Sequence, residues 1–285
     1  MKIIITISLI FFSFYCKGNA IDSLKTVEDV EAFIRIKVTN KDIPIYSKLK
    51  ADTLTTSSKT KFFKLDLNND GLTDLVVNGD YLFAVIDEGK GNVSFHYIDG
   101  GTFMLRTYIL AYVDTTKTQV KLIVHPYSKH GVSASEIPFY DTLVYKYNGF
   151  VEFNRHPGKF GISKIAISTT QCFGTCPVFD LSVDHDGMAY YFAKQYNKKT
   201  GRFSSEVNME TVKRLFELIN YINVRALKDH YNVNWTDDQT INLTITYEDG
   251  SEKNIIDYGE IGTFGLKTLY EALYKIRGTQ KWEGN

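Results

Sequence analysis

Residues 162–183 read ISKIAISTTQCFGTCPVFDLSV, and this stretch decides how the second half of the chain is built. Apolar and polar residues alternate over 162–168 and again over 178–183, which is the period-2 pattern of a half-buried strand. Cys172 and Cys176 stand between the two runs, immediately before a proline. The stretch therefore predicts two adjacent strands joined by a short turn that carries both cysteines.

The same kinds of pattern continue towards the C-terminus. Apolar residues at helical spacing predict a helix over 209–222, with Asn208 as its N-cap and Glu210 in its first turn. The order β-β-β-α-β-β-α predicts an α+β domain with an antiparallel sheet and its helices on one face. The other predicted elements are strands at 188–193, 241–247 and 253–258 and a helix at 264–276.

The CFGTCP signature at 172–177, followed by Asp186-Gly187 and by Asp249-Gly250, resembles domain of unknown function 6438. This family is found in exported bacterial proteins. The resemblance covers about residues 162–278 and includes the Thr-Asp-Asp run at 236–238. It implies a domain of that family and does not imply a particular reaction.

The first half of the chain predicts a mainly antiparallel β domain with one leading helix. Thr26 and Asp29 have the spacing of a capping box, and Val30 and Phe33 begin an apolar face. The polar segment 154–158, with its Pro-Gly pair, predicts the boundary between domains at 21–157 and 158–285. The predicted strands are 61–67, 75–77, 81–87, 93–98, 107–113, 120–124 and 142–147.

Residues 66–75 read DLNNDGLTDL and have the ligand spacing of a Ca²⁺ loop. Gly71 at position 6 permits the turn, and strand-like flanks make the loop similar to a single FG-GAP or VCBS repeat over 61–87. Four side-chain oxygens at this spacing favour a structural calcium ion, with an affinity on the order of 10⁻⁴ to 10⁻³ M as in extracellular modules. The alternative is a hairpin turn that needs no metal. The candidate ligands are the side chains of Asp66, Asn68, Asp70 and Asp74 and the carbonyl of Leu72.

The first twenty residues predict a secretory signal. Lys2 precedes an apolar run over 3–15 that is too short to span a membrane. Small residues at 18 and 20 favour cleavage after Ala20. The alternative is a lipoprotein signal in which Cys16 is acylated. Either signal predicts an exported protein, periplasmic or secreted, without a transmembrane segment in its mature form.

Export determines how the cysteine pair is interpreted. Cys172 and Cys176 are the two cysteines outside the signal, and the spacing suits a disulfide in an oxidising compartment. A redox-active pair would normally have Cys-x-x-Cys opening a helix, and zinc would need four ligands, with His185 as the nearest histidine. A thiol hydrolase built from Cys172, His230 and Asp237 is a further alternative.

Composition excludes some classes of function. The 33 Lys and Arg residues balance 33 Asp and Glu residues, so no basic stripe is available for nucleic acid. The sequence contains no His-Glu-x-x-His motif, no Gly-x-Ser-x-Gly elbow and no Walker loop. We therefore expect a non-catalytic envelope protein that binds or scaffolds an envelope protein or a glycan. A thiol-redox or hydrolytic enzyme that uses Cys172 and Cys176 is the alternative.

Overall fold

The computed structural model describes residues 19–38, 61–79, 82–100, 106–116, 119–127 and 140–284. Most of the predicted signal, including Cys16, lies outside the described residues. Within the described residues, no helix is long and apolar enough to cross a membrane.

The described part of the N-terminal half contains helix α1 (Val27–Val38) and two antiparallel sheets. Its strands are β1 Lys61–Leu65, β2 Asp74–Asn78, β3 Leu82–Gly89, β4 Asn92–Tyr97, β5 Asp99–Gly100, β6 Arg106–Asp114, β7 Lys121–Tyr127, β8 Asp141–Lys146 and β9 Gly149–Glu152. The first four strands form one sheet and the next five form the other, each in sequence order. Each sheet is therefore a simple succession of strands that follow one another along the chain.

The C-terminal half is one eight-stranded sheet with two helices. Its elements are β10 Ile162–Thr169, β11 Val178–Asp184, β12 Met188–Gln195, β13 Gly201–Glu206, α2 Met209–Tyr221, β14 His230–Asn232, β15 Thr240–Tyr247, β16 Glu252–Tyr258, α3 Phe264–Thr279 and β17 Glu283–Gly284. The order across the sheet is β14-β16-β15-β10-β11-β12-β13-β17. Neighbouring strands of this sheet are antiparallel except β14 and β16, so the α+β prediction is confirmed.

Local signals account for two of the helix starts. The hydroxyl of Thr26 accepts from the N–H of Asp29 (3.2 Å), and the Asp29 carboxylate accepts from the N–H of Thr26 (2.9 Å). This reciprocal pair is the predicted capping box at the start of α1. Asn208 caps α2 as predicted, because its side-chain oxygen accepts from the N–H of Thr211 (2.9 Å).

Five short strands, β5, β9, β13, β14 and β17, were not predicted from the sequence. The β13 segment, GRFSSE, contains one large apolar residue, Phe203, and so lacks the alternation that marks a strand. It forms because β12 pairs with it over six residues, from Met188 with Glu206 to Ala193 with Gly201. The order β-β-β-α-β-β-α is therefore incomplete, because it omits strands that depend on their neighbours.

One face of the eight-stranded sheet is covered by α2 and α3. Alternate residues of the central strands, such as Ile165, Leu181 and Leu243, are at most 1% exposed and pack in one cluster with Leu215 of α2 and Leu269 of α3. The opposite residues of these strands face away from the helices and are partly exposed. The prediction that both helices lie on one face is borne out by this packing.

The last hairpin of the first half packs against the second half. The carboxylate of Glu152 in β9 accepts from the N–H groups of Phe264 (2.7 Å) and Gly265 (2.9 Å) at the start of α3. Thr268 of α3 donates to the carbonyl of Phe150 (2.9 Å). Negative charge is favourable at a helix N-terminus, so β9 contributes to the start of α3. The domain boundary at 157 and 158 stays a prediction.

Candidate functional site

The cysteine turn, residues 172–176, joins β10 to β11 at one end of the eight-stranded sheet. Cys172 and Cys176 are disulfide-bonded, with their Cα atoms 5.8 Å apart. Phe173, inside the turn, is 89% exposed. The disulfide interpretation is supported by this distance, and the turn presents an aromatic ring to solvent.

One backbone hydrogen bond and two from the Gln239 side chain attach the cysteine turn to the loop that precedes β15. The N–H of Phe173 donates to the carbonyl of Asp237 (2.9 Å). The amide of Gln239 donates to the carbonyls of Thr170 (2.7 Å) and Pro177 (3.0 Å), on the two sides of the turn. The turn is therefore held by a covalent bond and by a neighbouring loop.

The residues suggested for a thiol enzyme or a zinc site are arranged differently. Asp237 meets the turn through its backbone carbonyl, and its carboxylate accepts from Thr236 (3.1 Å). His185 follows β11 (Val178–Asp184), so the length of that strand, roughly 23 Å, separates it from the cysteines. Among the described residues, no observed contact places a general base beside the sulfur atoms, as a thiol enzyme would need. None places two further metal ligands there either, as a zinc site would need.

The cysteine turn and most of the C-terminal sheet and its two helices lie within the segment that resembles a known family. Residues 163–277 match Domain of unknown function (DUF6438). The resemblance predicted from the CFGTCP signature is thereby confirmed over this segment, which we term the DUF6438 region. Neither a curated protein nor a solved structure matches the chain. The similarity of residues 61–87 to an FG-GAP or VCBS repeat stays a prediction.

The acidic loop, residues 66–74, joins β1 to β2 and is folded inward by carboxylates. Asp66 accepts through its two oxygens from the N–H groups of Asp70 (3.1 Å) and Gly71 (3.0 Å). Asp70 accepts from the N–H of Leu72 (2.8 Å). Gly71 has φ +82°, a conformation that side chains disfavour. The loop thus has the turn that its sequence predicts.

Asp74 ends the acidic loop and is fully buried. Its two oxygens accept from the N–H of Leu67 (2.8 Å) and the N–H of Asp87 (2.8 Å). Burial, opposed by these two hydrogen bonds and assisted by the nearby charges of Asp70 and Asp66, raises the pKa of Asp74 to about 6. The loop therefore places the negative charges of Asp66 and Asp70 near the buried carboxylate of Asp74.

The donor set of the acidic loop fits a hard cation in chemistry. Carboxylates, the Asn68 amide and the Leu72 carbonyl are the oxygen types that calcium takes. Asn68 now accepts from the N–H of Asp70 (3.2 Å), and a carboxylate oxygen that accepts one N–H keeps a second lone pair. Within the described residues, no group of three or more His, Cys, Asp or Glu side chains is placed to hold a metal ion. Calcium binding would thus require the carboxylates to turn.

The uncovered face of the DUF6438 region contains a groove of about 560 Å³. Strand pairing aligns the outward side chains of β15, β10, β11, β12 and β13 into rows that cross this face. One row consists of Asn242, Ser168, Asp180, Phe192 and Arg202, and the next consists of Thr244, Ala166, Ser182, Tyr190 and Ser204. Small side chains lie in the middle of the groove and aromatic ones lie on one side of it.

Arg202 differs from the other cations of this face. Its guanidinium carbon lies 4.1 Å from the centre of the Phe192 ring, and its side chain forms no hydrogen bond or ion pair with another described residue. Tyr190, one row away, is 47% exposed. The lysines are already paired: Lys164 lies 3.4 Å from Asp184 and Lys194 lies 2.7 Å from Asp180. Arg202 therefore retains its donors for a ligand.

Sequence reasoning did not identify this groove. Tyr190 and Phe192 occupy the outward positions of the predicted strand 188–193, so alternation alone was a usable signal for them. Arg202 lies in β13, which was not predicted, so the sequence could not predict that Arg202 lies beside Phe192. To predict the groove, one must know the register between strands that are distant in sequence, such as β10 and β15.

His96 is a second feature that the sequence did not single out. Its Nε2 atom lies 3.1 Å from the hydroxyl of Ser94 and 3.2 Å from that of Tyr145. Burial, with a smaller contribution from the charge of Lys267, lowers the pKa of His96 to about 4. The ring packs edge-on against Tyr145 and Phe150, so this histidine belongs to the packing between the two N-terminal sheets.

Proposed function

We propose that this chain is an exported, non-catalytic binding protein and that the groove of its DUF6438 region takes a carboxylate-bearing saccharide of the cell envelope. The observation that carries the proposal is Arg202, an exposed guanidinium that lies over Phe192, lines the same groove as Tyr190 and has no hydrogen-bond or ion-pair partner among the described residues. The first twenty residues support export, as argued from their sequence.

The shape and lining of the groove support a saccharide. The groove, about 560 Å³ in volume, is open along the sheet, so an elongated ligand can lie across the strands. Tyr190 offers an exposed ring face on which the apolar face of a sugar ring can pack, and Asn242 and Ser168 offer hydrogen bonds to hydroxyl groups. The groove has aromatic side chains on one side and small polar side chains in its middle. This lining suits a ligand that is apolar on one face and carries hydroxyl groups at its edge.

The charges of the groove support an acidic rather than a neutral saccharide. Lys164 and Lys194 have aspartate partners, whereas Arg202 has none within the part of the chain that the structure describes. A guanidinium binds a carboxylate through two parallel N–H···O bonds, which fix the orientation of the ligand. The ring of Phe192 beneath Arg202 limits the freedom of the guanidinium, which reduces the entropy lost on binding.

The disulfide and the acidic loop support the fold in this proposal and do not carry the chemistry. The cysteine turn fixes one end of the sheet that forms the groove. We propose that the acidic loop takes a weakly bound Ca²⁺ through Asp66, Asn68, Asp70, Asp74 and the carbonyl of Leu72. Four side chains with oxygen ligands and the added charge near buried Asp74 support this assignment.

Calorimetric titration of the mature protein with galacturonate oligomers tests the saccharide proposal, with galactose oligomers of the same length as neutral probes. We expect the acidic oligomer to bind and Arg202→Gln to weaken its binding at least tenfold, which corresponds to about 1.4 kcal/mol. Tyr190→Ala should weaken the binding of both oligomers, because the stacking face is lost.

Arg214→Gln is the matched control, since Arg214 is an exposed arginine of α2, away from the groove. Its affinity for the acidic oligomer should equal that of the unaltered protein. Absence of binding, or equal weakening by Arg202→Gln and Arg214→Gln, would overturn the proposal. Rapid alkylation of two thiols in the native protein would instead favour a thiol enzyme that uses Cys172 and Cys176.

A further inference from the structure

Asn19 is part of the folded N-terminal half. Its side-chain Nδ2 donates to the carbonyl of Thr73 (2.6 Å), and its Oδ1 accepts from the N–H of Ile21 (2.8 Å). Its backbone carbonyl accepts from the N–H of Asp22 (3.0 Å). Three hydrogen bonds therefore hold this residue, and one of them reaches into the acidic loop, 54 residues along the chain.

The residues that follow Asn19 form a compact turn over a hydrophobic cluster. A single 3-10 turn covers Ala20–Ser23, with Asn19 as its N-cap, and the hydroxyl of Ser23 donates to the carbonyl of Ala20 (2.7 Å). Ile21 is 0% exposed and packs in one cluster with Leu75 and Val85 of the four-stranded sheet. The turn positions Ile21, and Asn19 begins the turn.

Cleavage after Ala20 would damage this arrangement. It would remove the hydrogen bonds of Asn19 and place a charged ammonium group on Ile21, whose side chain is fully buried. The carbonyl of Thr73 would lose its donor from Asn19, beside the carboxylate of Asp74. Polar groups that lose their partners at this partly buried site destabilise the folded state, because water replaces their hydrogen bonds only in part.

We infer that the signal is removed upstream of Asn19, so that the mature chain retains this residue as the cap of its first turn. The inference rests on the proposed export of the protein. The sequence offers two such positions: a cut after Gly18 leaves small residues, Cys16 and Gly18, at −3 and −1, and a cut before Cys16 is the lipoprotein alternative. Both leave Asn19 in place.

Intact-mass analysis of the protein recovered from the envelope of expressing cells tests the inference. We expect an N-terminus at Asn19 or upstream of it. An added acyl mass on Cys16 would identify the lipoprotein route, and an unmodified Asn19 terminus would identify cleavage after Gly18. An N-terminus at Ile21 would overturn the inference and leave export intact, whereas a chain that retains Met1 would overturn the proposed export.

A second measurement isolates the role of Asn19 from signal recognition. Chains that begin at Lys17 and at Ile21 are compared by thermal unfolding, and we expect the shorter chain to melt roughly 4–8 °C lower. Asn19→Ala in the longer chain should reproduce most of this loss. Lys17→Ala is the matched control and should leave the melting temperature unchanged. Equal melting temperatures for the chains that begin at Lys17 and Ile21 would contradict the inference.

Discussion

The acidic loop and the cysteine turn each connect two adjacent antiparallel strands, one in each half of the molecule, but they are held closed by different interactions. The acidic loop connects β1 to β2, and the cysteine turn connects β10 to β11. The cysteine turn is closed by a covalent bond and leaves Phe173 in solvent. The acidic loop is closed by carboxylates that accept backbone N–H groups, and it ends on a carboxylate with no exposure.

This difference determines where each loop is sensitive to change. A disulfide acts mainly by restricting the unfolded chain, so the side chains inside its turn have little influence on stability. Hydrogen bonds that a buried carboxylate accepts act in the folded state, and their loss leaves buried donors without partners. The acidic loop should therefore depend on single side chains, and the cysteine turn should depend on its one bond.

The largest effect is expected for Asp74→Ala. The substitution leaves the N–H groups of Leu67 and Asp87 without acceptors in a buried site, which costs about 3 kcal/mol of unfolding free energy. Urea unfolding measures this loss. Asp70→Ala is the control in the same loop, and its effect should be much smaller because Asp70 is exposed to water. Equal losses in the two variants would show that burial is not the reason for the sensitivity.

The next effect is expected for the disulfide. Replacement of Cys172 and Cys176 together by serine removes a five-residue covalent ring, which costs about 2 kcal/mol in the chain-entropy model. The unfolding free energy of the double variant, compared with that of the oxidised protein, measures this contribution. Reduced native protein should match the double variant. If only one of these two proteins, the double variant or the reduced native protein, lost unfolding free energy, the loss would not come from the cross-link.

Calcium should have a smaller effect that depends on pH. The pKa of Asp74 is about 6 in the folded protein and lower in the unfolded chain, so protonated Asp74 favours folding. Without metal, this contribution is complete below pH 4 and is lost as the pH rises through 6. Calcium needs the ionised carboxylate. At a concentration ten times its Kd, it should therefore stabilise the protein by about 1.4 kcal/mol at pH 7.5 and much less at pH 5.

Melting curves with Ca²⁺ and with a chelator at the two pH values measure this contribution. Asp70→Ala should abolish the calcium-dependent shift, because it removes a proposed ligand. Mg²⁺ at the same concentration is the control for general screening of charge. An equal shift with both ions, or one that survives in Asp70→Ala, would eliminate calcium from the acidic loop.

The smallest effect is expected for Phe173→Ala. The ring is 89% exposed, so its removal should change the unfolding free energy by no more than about 0.5 kcal/mol. Chemical denaturation of this variant completes the comparison of the two loops. A loss as large as that of the double cysteine variant would mean that the turn depends on its side chains, as the acidic loop does.

Local signals in the sequence predicted those parts of the structure whose energy is local. The capping box of Thr26 and Asp29, the cap at Asn208 and the cysteine spacing each involve residues within four positions of one another. Strands with strong alternation, such as β10 and β15, were predicted for the same reason. Strand β13 was missed because its stability comes from pairing with β12 rather than from its own residues.

The sequence by itself determined the class of the fold, the cysteine cross-link and the family resemblance of the second half. Tertiary structure alone placed Glu152 at the start of α3, 112 residues away, Asn19 on Thr73, and Arg202 over Phe192. Local preferences depend on neighbours along the chain and can be read there. Contacts between distant residues depend on strand register and on the burial of whole faces, so they exist only once the sheets have assembled.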